Sequence, residues 1–167
     1  MLVMGSVLIS TKAFGISEFD YSDIKKSRQF ISVDFKTYQV KTDEQIMLYG
    51  LKERFFLDNN WFIGRAGYGA VLGKRGGYLE GGIIGGAFFK LNPSINIETR
   101  VFTGAGGGSA APQGSGLIIQ PSLGINFMAD KSLGIGLEIG YIQFLNGDIE
   151  SIVYSFNINS NLWDLTF

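Results

Sequence analysis

The sequence has no cysteine and no histidine, only 3 prolines, and few charges: Asp, Glu, Lys and Arg together make up 17% of its 167 residues. The lack of cysteine excludes a disulfide scaffold, and the lack of both residue types excludes a Cys/His zinc site. Without histidine there is no catalytic triad built on an imidazole base. The 14 basic residues stand against 15 acidic ones, a balance that excludes a basic nucleic-acid binder. No apolar run reaches the roughly 20 residues of a membrane-spanning helix. What is present is 24 glycines, 14% aromatic residues and 46% hydrophobic residues. That is too much apolar surface for a disordered chain, and the glycines lack the strict three-residue period of collagen. The length corresponds to one domain.

Met1 to Gly15 contain a short apolar run, Leu2 to Ile9, followed by Ala13-Phe14-Gly15, a small-x-small cleavage pattern. Residues 1–15 therefore read as a signal peptide. No Lys or Arg precedes the run, so either a basic segment lies upstream or the run is an ordinary buried strand. Residues 16–27 are polar and form a lead-in. From Arg28 onward the hydrophobic period is two, which no helix sustains. Ile95, Ile97, Thr99, Val101 and Thr103 share one face, as do Leu117, Ile119, Pro121, Leu123, Ile125 and Phe127. Leu133, Ile135, Leu137, Ile139 and Tyr141 follow the same rule, opposed by Gly134, Gly136, Glu138 and Gly140.

Turn residues divide this region into strands near 28–39, 45–57, 60–72, 77–91, 94–106, 116–129, 132–145 and 150–160. The expected fold is all-β: an eight-stranded antiparallel up-and-down barrel over 28–167, closed so that no edge is exposed. Charge then decides which face is inside. From Trp61 to Phe167 there are 13 charged residues, and most sit in turns or at strand ends. A soluble barrel could not keep its outer face wet with so few. The apolar face is therefore read as the outer, lipid-contacting one: Ile95, Ile97, Val101, Leu117, Ile119, Leu123, Ile125, Leu133, Ile135, Leu137 and Ile139. The inner face is read as a polar lumen plugged by ion pairs among Asp34, Lys36, Lys52, Arg54, Arg65, Glu80, Glu98, Arg100 and Glu138, because buried charges must be paired and eight-stranded interiors are about filled by side chains. An ion path or a set of catalytic carboxylates is the competing reading of the same residues. The links near 58–60, 92–94 and 130–132 are tight. Those near 40–44, 73–77, 107–115 and 146–149 include the longest, which suits a periplasmic N-terminus and outward loops. Trp61, Tyr78, Tyr141 and Trp163 lie near strand ends, where aromatic girdles form.

On the dyad repeat, the alternation of short and long links, and the terminal Phe167, the sequence resembles the small bacterial outer-membrane β-barrels of the OmpA/OmpX type. The resemblance implies outer-membrane localisation in a Gram-negative envelope. It also implies contact with outer-membrane lipid and lipopolysaccharide, and recognition by the barrel-assembly machinery through Trp163, Leu165 and Phe167. Asn159 and Asn161 break the alternation that this terminal signal would have. Either a bulge shifts the phase around Asn159–Leu162, or the last residues form a tail. Small barrels of this kind include lipid A deacylases and acyltransferases, whose catalytic histidine has no counterpart here. No catalytic residue, metal ligand or cofactor is assigned.

Three motifs look like chemistry. Gly104-Ala105-Gly106-Gly107-Gly108-Ser109 departs from the dinucleotide pattern at its third glycine and precedes a strand. Asn146-Gly147-Asp148 with Glu150 matches no calcium loop and reads as a type I′ turn. Lys74-Arg75 could meet an anionic phosphate, with a solvated turn as the default. The expected function is a porin-like outer-membrane barrel acting as a monomer in a structural or interaction role. The alternatives are a soluble lipocalin-like carrier of an apolar ligand and an outer-membrane lipid-modifying enzyme without a histidine triad.

Overall fold

The computed structural model describes residues 29–41, 44–74, 76–109, 111–130 and 132–161. The readings for residues 1–27, and for Trp163, Leu165 and Phe167, fall outside them. Eight strands follow one another: β1 (Gln29–Lys41), β2 (Glu44–Phe56), β3 (Trp61–Leu72), β4 (Leu79–Lys90), β5 (Ile95–Gly107), β6 (Leu117–Met128), β7 (Leu133–Phe144) and β8 (Glu150–Asn161). Each pairs antiparallel with its sequence neighbour, and β1 pairs with β8 from Phe30↔Asn161 to Thr37↔Tyr154, closing the barrel. The expected all-β, eight-stranded, antiparallel closed barrel is the fold observed. At 12 or 13 residues the strands meet the length that a tilted membrane strand requires.

Phase holds through β8. Ile152, Tyr154, Phe156 and Ile158 point out, while Ser155, Asn157 and Asn159 point in. The β8 register with β1 and β7 runs without a shift, so no bulge falls between Glu150 and Asn161. Register shifts occur at Gln39/Lys41 and Met47/Leu48, beside the β1–β2 connection. Pro121, which has no N–H to give, interrupts the β6–β7 ladder between Ile119↔Gln143 and Ser122↔Gly140 without changing register.

One end of the barrel is built from a repeated device. Asp58 Oδ1 accepts from the Asn60 and Trp61 N–H groups, both at 2.7 Å. Asn92 Oδ1 accepts from Ser94 at 2.9 Å and Ile95 at 2.8 Å. Asp130 Oδ1 accepts from Ser132 at 2.6 Å and Leu133 at 2.7 Å. A side chain that mimics a backbone acceptor two and three residues on is what makes Asp and Asn turn formers. These backbone bonds hold the Asp58 and Asp130 carboxyls below their ordinary pKa. A depressed carboxyl contributes stability above its unfolded pKa and loses it as pH falls through the folded value. The double variant D58A/D130A should therefore unfold at lower denaturant than wild type at neutral pH. The gap should close as pH drops below the usual carboxylate range of about 4. A gap that stays constant into acid would show that the charge is not its source.

The opposite, loop end is less regular. Only Asn146 in the β7–β8 turn is left-handed, with φ 60°. A type I′ turn needs two such residues, so that expectation is corrected: the turn is a longer loop. The Asp148 N–H donates to the Pro112 carbonyl at 3.0 Å, tying it to the glycine-rich β5–β6 loop.

Candidate functional site

The alternation of the strands sorts side chains into two unlike sets. Facing out and exposed are Phe35, Tyr49, Leu51, Ile63, Ile83, Val101, Leu117, Ile119, Leu123, Leu133, Ile135, Leu137, Ile139, Ile152, Tyr154 and Ile158. Ile95, Ile97 and Ile125 share that outward parity and are half-buried. Buried inside are Asp34, Lys36, Lys52, Arg54, Glu80, Glu98, Arg100 and Glu138. These are the charged side chains buried among the described residues: four acids and four bases, so the interior is formally neutral.

The interior charges form three groups strung along the axis. Toward the turn end, Arg54 pairs with Glu98. Arg54 Nη2 also donates to Ser32 Oγ at 2.8 Å and Asn159 Oδ1 at 2.6 Å. Asn159 Nδ2 donates in turn to Asn126 Oδ1 at 3.0 Å and Asn157 Oδ1 at 2.7 Å. In the middle, Glu138 pairs with Arg100 and lies 3.3 Å from Lys52 Nζ, which is 3.4 Å from Asp34 Oδ2. Tyr68 donates to Asp34 Oδ2 at 3.0 Å, and Arg100 Nε donates to Ser122 Oγ at 3.2 Å. Toward the loop end, Lys36 pairs with Glu80 and donates to Gln120 Oε1 at 3.2 Å. Its ammonium sits 4.1 Å from the centre of the Tyr68 ring. Tyr38 and Tyr78 both donate to Glu80 Oε1.

Apolar side chains cover this polar slab at both ends. At the turn end Phe30, Phe56, Phe62 and Phe88 form an aromatic cluster, with Phe56–Phe88 edge-on at 5.5 Å and Phe56–Phe62 at 5.7 Å. At the loop end Val40, Ile46, Leu48, Ile118, Ile142, Phe144 and Ile149 are buried together. Bulky side chains fit only because glycine fills other inward positions. Gly82 and Gly104 are cross-strand partners, and a Cβ on either would lie 2.7 or 2.6 Å from the other's Cα.

Two sequence expectations need correction. Arg65 is not in the lumen: its side chain is 75% exposed and pairs outward with Glu53. The reason is parity. Phe62, Gly64, Ala66, Tyr68 and Ala70 are the inward residues of β3, and Arg65 alternates with them. Tyr78 is no part of an outer girdle, because it is buried inside the mouth on Glu80. Trp61 and Tyr141 are exposed on the outside. The neutral partners Ser32, Tyr38, Tyr68, Gln120, Ser122 and Asn159 escaped a reading that looked for charge, although each sits at an inward position of its strand.

A closed, eight-stranded antiparallel barrel with greasy side chains outside and charged ones inside has the architecture of a transmembrane β-barrel. Solved structures agree on the fold. A de novo designed transmembrane β-barrel is similar to this chain at a TM-score of 0.58 and 10% identity, over 80% of this chain and 94% of the other. Ail, the attachment invasion locus protein of Yersinia pestis, is similar in complex with the heparin analogue sucrose octasulfate (TM-score 0.52, 13% identity, 81% of this chain and 97% of Ail). The backbone structure of Ail in a phospholipid bilayer nanodisc gives a TM-score of 0.51 at 15% identity, covering 81% of this chain and 99% of Ail. No protein-family model and no curated protein sequence matches the chain.

Proposed function

We propose that this chain is a bacterial outer-membrane β-barrel whose interior is closed to solutes, with a structural or interaction role in the envelope. One observation carries the reading: the exposed face of the strands is apolar while eight charged side chains are buried within. Water would favour the reverse arrangement, and hydrocarbon favours this one. In a bilayer every backbone polar group must be satisfied within the protein, and the closed ladder does this. The turn end faces the periplasm and the loop end the exterior. Lipid and lipopolysaccharide contact the outer wall, and the barrel-assembly machinery reads the C-terminal residues.

Closure of the interior is supported by neutral ion pairing and by the two apolar covers, since a conducting path would need a continuous wet route. A lipocalin-like carrier would need an apolar cavity where this chain has Arg, Lys, Asp and Glu. The test is reconstitution of the full chain in phospholipid. The protein should require detergent or lipid, change gel mobility on heating, and give no steady conductance in a planar bilayer. A stable open channel would overturn the closed interior. A protein that stays in aqueous solution and binds a fatty ligand would overturn the membrane reading.

A further inference from the structure

The outer wall carries one feature at odds with its surroundings. Arg65 Nε donates to Glu53 Oε2 at 2.5 Å, and Glu53 Oε1 accepts from Gln29 Nε2 at 2.5 Å. Arg65 and Glu53 are cross-strand partners on the outside of β3 and β2. Their neighbours on the same face, across or two residues along, are Ile31, Leu51, Phe55, Ile63 and Ile83. The pair is thus set within the apolar belt, not at its rim. Glu53 has both oxygens engaged, whereas among the described residues Arg65 uses only Nε. Its two terminal amino groups, with four N–H donors, are left on the outer surface. Beside them the outward positions Gly67, Gly81 and Gly85 carry no side chain, and a Cβ at Gly81 or Gly85 would meet nothing within 4 Å.

We propose that this patch is the contact face for a second copy of the same chain, lying alongside in the bilayer. The patch is self-complementary. A two-fold axis along the bilayer normal, passing between Arg65 and Glu53, sets each guanidinium against the other copy's carboxylate, and like charges do not meet. A carboxylate offers about four acceptor sites, so Glu53 can take the extra bonds. Hydrocarbon offers Arg65 no acceptor, which makes a protein carboxylate at the same depth the fitting partner. The bare glycines let the two walls approach closely. A lipid phosphate of the loop-side leaflet fits less well, because Arg65 lies four residues along β3 from Trp61 at the turn end and seven from Leu72 at the loop end. That places it away from the headgroups on the loop side. The inference rests on the reading that the outer wall meets lipid, and it replaces the monomer expected from the sequence.

The chain has no cysteine, so single cysteines report cleanly. Gly76→Cys, in the β3–β4 loop with open space around it, carries a donor or acceptor dye. Labelled barrels are placed in phosphatidylcholine vesicles at falling protein-to-lipid ratio. Heat-modified gel mobility confirms folding and insertion in each case, so a failure of the membrane reading shows itself separately. Wild type should give energy transfer that persists on dilution in lipid. R65E alone and E53R alone should lose at least tenfold in association. A mixture of R65E with E53R should regain it, because two negative groups on one copy then face two positive groups on the other. No transfer for wild type at any density, or a mixture no better than its components, would overturn the proposal. So would transfer that appears only when lipopolysaccharide is added. If the charge variants fail to fold, oxidative crosslinking of G67C, compared with L137C on the far wall, decides the question. Selective dimers at G67C support the contact, and equal yields at both positions refute it.

Discussion

Replacing Glu138 with leucine is expected to destabilise the folded barrel by about 3–5 kcal/mol, the usual consequence of removing one member of a buried ion pair. Glu138 is the acid shared by Arg100 and Lys52. Without it both cations depend on Asp34, which lies 3.9 Å from Arg100 and 3.4 Å from Lys52. The loss arises less from the missing attraction than from two charges left in a space that water reaches poorly. The companion variant makes the argument specific. Replacing Arg100 and Glu138 together by leucines of similar reach should recover much of the loss, because apolar replacement of a whole buried pair is often neutral. The measurement is urea unfolding in lipid vesicles, followed by tryptophan fluorescence. If the single variant unfolds with wild type, the interior pairs do not hold the barrel.

A charge placed on the outer wall should be equally informative, with depth as the control. Leu123 is the seventh of the 12 residues of β6 and Leu133 the first of β7, so one lies near mid-wall and the other at the turn end. Leu123→Arg should cost about 2–4 kcal/mol in a bilayer, and Leu133→Arg only about 0–1. Both side chains are exposed, at 52% and 47%, so exposure alone would make the two substitutions alike. A difference that follows height on the wall means hydrocarbon outside. Equal and small effects would mean that the outer wall faces water.

Strand order and number were legible because two local signals coincide. Period-two hydrophobicity marks β5 to β8, and an Asp or Asn starts each tight link at Asp58, Asn92 and Asp130. The scarcity of charge was enough to tell inside from outside. Arg65 shows where that logic stops. Treating every mid-strand charge as internal let a composition rule override the alternation Trp61, Ile63, Arg65, Gly67, which places the guanidinium outside. Its partner Glu53 was invisible for the same reason. The aromatic cluster of Phe30, Phe56, Phe62 and Phe88 was also out of reach. Those rings come from both ends of four strands, and only register brings them to one level. Tyr78 reads as a girdle residue from its place near a strand end, although it shares the inward parity of Glu80, two positions on, to which its hydroxyl donates.

The sequence separations within the interior network bear on how such a wall is assembled. Lys36 and Glu80 are 44 positions apart, as are Arg54 and Glu98, and Lys52 and Glu138 are 86 apart. Each of these contacts joins strands that are not neighbours in the sheet. A partly zipped sheet of four or five strands would already have its hairpin ladders, yet would hold Lys52 without Glu138. Lys36 with Glu80 and Arg54 with Glu98 lie within the first five strands, so it is the middle pair, Lys52 with Glu138, that rewards only a sheet grown as far as β7, and that pair acts as a latch against half-made intermediates coming to rest in the membrane.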